Sequence, residues 1–214
     1  GLVGACPWQV LRRADGIGPQ RRLLPSRYAA GQALASSDGK WLIVRSVLGE
    51  SGNGDIFAAH LGDSVLTPLV ATSARELTPA LSPDGKFLAY SSDESGTPEI
   101  FVRPFPDVAT ARWQVSTAGG SAPLWSHSGK ELFFRNGHGD LQVAQVSETP
   151  TFTVGAQKPL FPLAPFTFGG PAQQYALSPD DKRFLLLRET AAGELGTLIV
   201  SEHWFEELKA RAQR

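Results

Sequence analysis

Short apolar runs alternate along the chain with polar segments rich in glycine, serine, aspartate and proline, a pattern that predicts many short strands joined by tight turns. One phrase organises the alternation. It reads Ala35-Ser36-Ser37-Asp38-Gly39-Lys40-Trp41-Leu42 and returns as Leu81-Ser82-Pro83-Asp84-Gly85-Lys86-Phe87-Leu88. It returns again as Trp125-Ser126-His127-Ser128-Gly129-Lys130-Glu131-Leu132 and as Leu177-Ser178-Pro179-Asp180-Asp181-Lys182-Arg183-Phe184. A Pro-Asp-Gly centre combines a preset φ, a side chain that caps its own turn and a position that tolerates positive φ, so the phrase predicts a hairpin, with Gly39 and Gly85 at positive φ. By the same logic His127 and Ser128 should accept Pro and Asp, the residues commoner at those places. The phrase lysines at 40, 86, 130 and 182 are 46, 44 and 52 residues apart. A period of that size suits one four-stranded blade per copy.

The runs after the phrase, Trp41-Leu42-Ile43-Val44, Phe87-Leu88-Ala89-Tyr90, Glu131-Leu132-Phe133-Phe134 and Phe184-Leu185-Leu186-Leu187, are apolar almost without a break. Such runs predict burial on both faces, as between stacked blades. A further strand follows in each unit, at Asp55-Ile56-Phe57-Ala58-Ala59, Glu99-Ile100-Phe101-Val102, Asp140-Leu141-Gln142-Val143-Ala144 and Thr197-Leu198-Ile199-Val200. A last strand is expected around residues 68–70 and 112–115, and is spread over 152–161 in the third unit. Trp8-Gln9-Val10-Leu11-Arg12 and Arg21-Arg22-Leu23-Leu24 read as two strands around the turn Asp15-Gly16-Ile17-Gly18. Residues 204–211 read as a short helix, with acids early and bases late to suit the helix dipole. The expected fold is therefore all-β: a small β-propeller of about four four-stranded blades, with N-terminal strands completing or extending the ring and a short C-terminal helix. It forms one domain, with a partial blade at 1–30, blades at 31–75, 76–120, 121–170 and 171–202, and the helix at 203–214.

Composition supports this picture. The 214 residues, 42% of them hydrophobic, suffice for one sizeable core, and 22 glycines and 16 prolines supply the turns. A net charge of −1 creates no global field toward nucleic acid, and no nucleic-acid partner is expected. The single cysteine, Cys6, excludes an internal disulfide, and no run approaches the ~18 apolar residues of a membrane span. The start Gly1-Leu2-Val3-Gly4-Ala5-Cys6 has the small residues that precede a lipidated cysteine, although within the chain it reads as a loop or frayed strand. The lack of any methionine points to a processed chain or a segment of a longer one.

Catalytic patterns are weak. Ser51 and Ser95 miss the Gly-x-Ser-x-Gly spacing of a nucleophile elbow and precede strands. His127 and His138 flank one hairpin without an obvious third metal ligand, and Asp93-Glu94 lacks the alternating acids of a calcium loop. The Gly-Lys pairs of the phrase lack the glycine that begins a phosphate-binding loop. No catalytic residue, metal or cofactor is expected, and the chain reads as a non-enzyme.

The four phrases, the run Phe101-Val102-Arg103-Pro104-Phe105-Pro106, and Trp113-Gln114-Val115-Ser116-Thr117-Ala118-Gly119-Gly120 together resemble the TolB-like propeller repeats. With the ending Val200-Ser201-Glu202-His203-Trp204-Phe205-Glu206-Glu207-Leu208-Lys209, the resemblance is closer to the C-terminal propeller of large bacterial serine/threonine protein kinases. It covers roughly residues 8–211. No Gly-rich nucleotide loop, His-Arg-Asp loop or Asp-Phe-Gly segment occurs, so kinase activity does not carry over. The resemblance implies a location outside the cytoplasm and a role in binding. Arg12, Arg13, Arg21, Arg22 and Arg27, opposed by Asp15, form either a solvated face or a docking patch for an acidic protein or lipid head groups. Phe161, Phe166 and Phe168 in the loop at 161–170 need cover, from this molecule or from a partner. The candidate partner-binding residues are Arg12, Arg13, Arg21, Arg22, Phe166 and Phe168. The expected function is a non-catalytic interaction propeller docking onto a larger, membrane-proximal protein assembly. The alternatives are ligand sensing through the central channel and an accessory role beside a hydrolase.

Overall fold

The computed structural model describes residues 11–12, 21–22, 30–46, 54–61, 63, 65–148, 151–164, 166 and 174–188. Strands β1 (Leu11–Arg12) and β2 (Arg21–Arg22) pair antiparallel, with Leu11 opposite Arg22, as the hairpin expected around residues 15–18 requires. Three four-stranded meanders follow. The first blade is β3 (Ala30–Ala35), β4 (Trp41–Ser46), β5 (Ile56–His60) and β6 (Thr67–Val70). The second is β7 (Glu76–Leu81), β8 (Phe87–Ser92), β9 (Glu99–Pro104) and β10 (Trp113–Gln114). The third is β11 (Gly120–Trp125), β12 (Glu131–Asn136), β13 (Asp140–Ser147) and β14 (Thr153–Pro162). A fourth begins with β15 (Tyr175–Leu177) and β16 (Phe184–Leu186). The strand expected at 197–200 and the helix at 204–211 lie outside the described residues.

The core sits between blades rather than inside any one sheet. Successive side chains of a strand point to opposite faces. On β8, Leu88 and Tyr90 therefore pack against Ile43 and Ile56 of the first blade, while Ala89 faces Leu132 and Phe134 of the third. On β12 the intervening Phe133 turns the other way, onto Tyr175, Phe184 and Leu186. This double use explains why the post-phrase runs are continuously apolar. The fourth run departs from that expectation: Phe184 and Leu186 are buried, but Leu185 and Leu187 are 37% and 53% exposed. Among the described residues no further sheet follows β16 on that side.

Around a central axis β7 and β11 lie side by side, and side-chain hydrogen bonds link the first strands of all four blades. The Gln32 amide donates to the Pro79 carbonyl, the Trp125 indole to the Ala80 carbonyl and the Tyr175 hydroxyl to the Ala122 carbonyl. Each of β3, β7 and β11 carries a register shift. In β7 and β11 the shift coincides with a non-glycine residue at positive φ, Thr78 at 49° and Ala122 at 53°, each followed by proline. A β-branched residue there is strained, and persists because the flanking pairs fix both ends of the bulge.

Candidate functional site

The four phrase turns gather at one end of the axis. In the second copy the Ser82 hydroxyl donates to Asp84 Oδ1 (2.7 Å) and accepts the Phe87 N–H (3.0 Å). Asp84 Oδ1 also accepts the Lys86 N–H, and the Gly85 N–H reaches the Ser82 carbonyl. The same set recurs around Ser36 and Ser178. Gly39, Gly85 and Gly129 adopt φ of 69°, 74° and 72°, as the hairpin chemistry requires. The serine is the hub of the turn, a role its recurrence in all four copies signals but which the Pro-Asp-Gly logic overlooks.

The third and fourth turns differ. Ser128 stands where the phrase has aspartate, and the missing carboxylate comes from the next blade. Asp181 accepts the backbone N–H groups of His127 (2.9 Å) and Ser128 (3.2 Å), and its Oδ1 lies 2.6 Å from His127 Nδ1. Burial pushes the Asp181 carboxyl up, but these contacts from His127 and Ser128 outweigh it and hold the group below its ordinary value. An ionised carboxylate can only accept, so His127 carries its proton on Nδ1. Asp181 itself takes the left-handed conformation, φ 59°, where the other three copies have glycine.

Between the turns lie two depressions. One, of about 470 Å³, opens at the axis and is lined by Gln32 and Leu34 of β3, Pro79 and Leu81 of β7, and Pro123 and Leu124 of β11, with Pro83 and His127 at its edge. Among the described residues no Asp, Glu, Lys or Arg lines it. Gln32 Oε1 is buried there without a hydrogen-bond partner. The other, of about 630 Å³, runs outward past Asp84, His127, Lys130 and Glu148. Lys86 Nζ lies 2.7 Å from Asp84 and 3.9 Å from Glu148, two of the residues that line this depression. Burial alone would raise the Asp84 carboxyl, but Lys86 and the Ser82 hydroxyl outweigh it and hold the group at about 2. Burial and the neighbouring Asp84 push Glu148 up.

Of the candidate residues from the sequence, Arg12, Arg21 and Arg22 fall in the β1–β2 hairpin. Arg13 and Phe168 lie outside the described residues. Phe166 is half-buried against the cluster shared by the third and fourth blades, and Phe161 packs edge-on to Phe184 in the same cluster. His60 stacks on Trp41 at 3.8 Å. Among the described residues no three His, Cys, Asp or Glu side chains are placed to hold a metal.

At the opposite end of the axis stand two buried glutamates that the sequence does not announce. Glu76 takes hydrogen bonds from the hydroxyl and N–H of Thr72, and Glu99 from the Ser116 hydroxyl and the Gly119 N–H (2.9 Å). Each ties down the linker that joins one blade to the next.

The stacked meanders define the class: this is a β-propeller, and its fold is TolB-like. The structure is similar to TolB from Acinetobacter baumannii at a TM-score of 0.61 and 16% identity, over 83% of this chain and 42% of that one. It is also similar to hydrazine synthase from Kuenenia stuttgartiensis at a TM-score of 0.57 and 14% identity, over 92% of this chain and 66% of that one. A puromycin-hydrolyzing peptidase of Mycobacterium tuberculosis matches at a TM-score of 0.57 and 20% identity, over 84% of this chain and 32% of that one. The chain thus spans about two fifths of the TolB chain it matches. No family model and no curated protein matches the sequence. Among the described residues no helix is long and apolar enough to cross a membrane.

Proposed function

We propose that the chain is a non-catalytic, extracytoplasmic interaction propeller that receives an apolar segment of a protein partner at the mouth of its axis. The observation that carries this reading is the uncharged mouth itself. Leucines and prolines from three blades converge there on rigid strands, and a concave apolar surface is where a partner's anchoring side chain gains most. The arginines at 12, 13, 21 and 22 supply charge that raises the capture rate of an acidic partner, and Phe166 and Phe168 serve as an apolar contact separate from the mouth.

Co-purification from the native source, read by mass spectrometry, tests the reading. A Leu34→Glu, Leu124→Glu pair should lose the partner that the parent retains, with melting temperature as the check on folding. Arg12→Glu with Arg13→Glu should slow capture most at low salt. Parental retention by the leucine pair would reject the mouth as the docking surface.

A second reading, ligand sensing at the same mouth, is favoured by the orphaned Gln32 Oε1. The cavity falls within the range of small-molecule sites, and a ligand donor would satisfy that oxygen. Recovery of a small molecule from the purified parent, lost on Gln32→Leu, would decide for it.

A further inference from the structure

The end of the axis away from the phrase turns holds a buried cation whose Nε has no hydrogen-bond partner. Arg45, near the end of β4, is 3% exposed, and its Nε has neither solvent nor a hydrogen-bond partner. Alternation along β4 sets Arg45 on the same face as Ile43, toward the second blade. The guanidinium lies beside Gly54, which has φ 87°: a Cβ built there would stand 3.5 Å from both Arg45 Nη1 and Leu77 Cδ2. Glycine thus leaves the tip of the guanidinium uncovered by any side chain at that position.

Among the described residues no carboxylate forms an ion pair with Arg45. Burial pushes the guanidinium below its ordinary value, and the neighbouring charge that bears on it is a second cation, Arg75. Four carboxylates of this end are engaged elsewhere; burial pushes the Glu76 carboxyl up, and a fifth, the buried Asp55, lies close enough to push it further. Thr72 holds Glu76, Ser116 and Gly119 hold Glu99, the Arg75 N–H reaches Asp93, and Arg112 pairs with Glu94. A buried, unpaired charge is among the costliest features a core can carry, and natural structures pair such groups or use them.

We propose that Arg45, with Arg75, is a binding site for a compact oxyanion, a carboxylate or phosphate group seated between the first two blades beside Gly54. A guanidinium offers such a group two parallel donors, and a site already out of water strengthens both. Arg45 is the anchor, and the exposed Arg75 side chain closes over the ligand from the linker. This site is separate from the apolar mouth and does not depend on it.

Thermal melting of the full chain at constant ionic strength tests the proposal, with chloride replaced stepwise by inorganic phosphate or by acetate. The parent should gain about 3 °C or more and then saturate with at least one of the two anions. Phosphate also stabilises proteins generally by exclusion from their surface, but that effect does not saturate and does not need Arg45. Arg45→Met should keep the fold and lose the saturable gain, and Arg75→Ala should weaken the apparent affinity severalfold. Saturation by acetate alone assigns a carboxylate carried by a protein partner, and saturation by phosphate assigns a phosphate group. In the parent, the Arg45 Nε–H resonance should move along the same isotherm, a readout that does not rely on any variant folding. A saturable gain that survives in Arg45→Met, an Nε–H signal unmoved by both anions, or no saturable gain in the parent overturns the proposal.

Discussion

The turns of the first two blades close on themselves, whereas those of the third and fourth close on each other. Ser36 and Ser82 each find an aspartate two residues on, and the turn is complete within one hairpin. Between those two turns the Ser37 hydroxyl donates to the Pro83 carbonyl at 2.9 Å. Ser126 finds Ser128 instead, and the third turn borrows the Asp181 carboxylate from the next blade. Two departures from the phrase that look like decay in the sequence, His127-Ser128 and Asp181, are two halves of one contact. A repeat can lose a local hydrogen bond without loss of stability when its neighbour supplies the same group from across the blade interface.

Removal of the borrowed group should break the contrast most sharply. Asp181→Ala strips three hydrogen bonds from a charged acceptor and leaves the His127 and Ser128 N–H groups without it, at an expected loss of about 1.5–3 kcal/mol in urea unfolding. The equivalent cut in the first turn, Asp38→Ala, should cost less, because that side chain is 49% exposed against 22% for Asp181.

The same substitution at the same place in two copies makes a finer test. His127→Pro deletes an N–H that donates to Asp181 and should cost about 1–2 kcal/mol, which reverses the expectation from the phrase alone that proline is welcome there. Ser37→Pro loses only the exposed hydroxyl bond and should stay within about 0.5 kcal/mol. If Asp181→Gly is neutral or stabilising in a His127→Pro, Ser128→Asp background yet destabilising alone, the two departures are coupled.

Gly85→Ala should cost about 1–2 kcal/mol from backbone conformation alone, because its φ is 74° and an added Cβ would meet nothing within 4 Å. Equal melting temperatures for Gly85→Ala and the parent would remove the positive-φ turn from the account.

The smallest expected effect is on pH dependence. The folded Asp84 carboxyl is held at about 2, below its ordinary 3.8, so the folded state binds fewer protons than the unfolded state between those values. Its contribution is complete above about pH 4–5 and is lost as the pH falls through about 2. Asp84→Asn should be less stable than the parent at pH 7, and its urea midpoint should fall less steeply between about pH 4 and pH 2.

Much of this molecule was legible in its sequence, and the reason is physical. Strand period, turn chemistry and repeat spacing are local properties, and the residues that carry them lie within a few positions of one another. The phrase turns, the positive φ of Gly39 and Gly85, the long strand at Thr153–Pro162 and the propeller class all followed from such signals. Tertiary structure decided what depends on two blades meeting. It set Asp181 against His127, buried Glu76 and Glu99 under the linkers, placed Phe166 against the third and fourth blades, and buried Arg45 with its Nε unpartnered. None of these pairings has a fixed spacing in the chain. They arise where strands from separate repeats are brought side by side, and burial there sets the energy of every unpaired polar group.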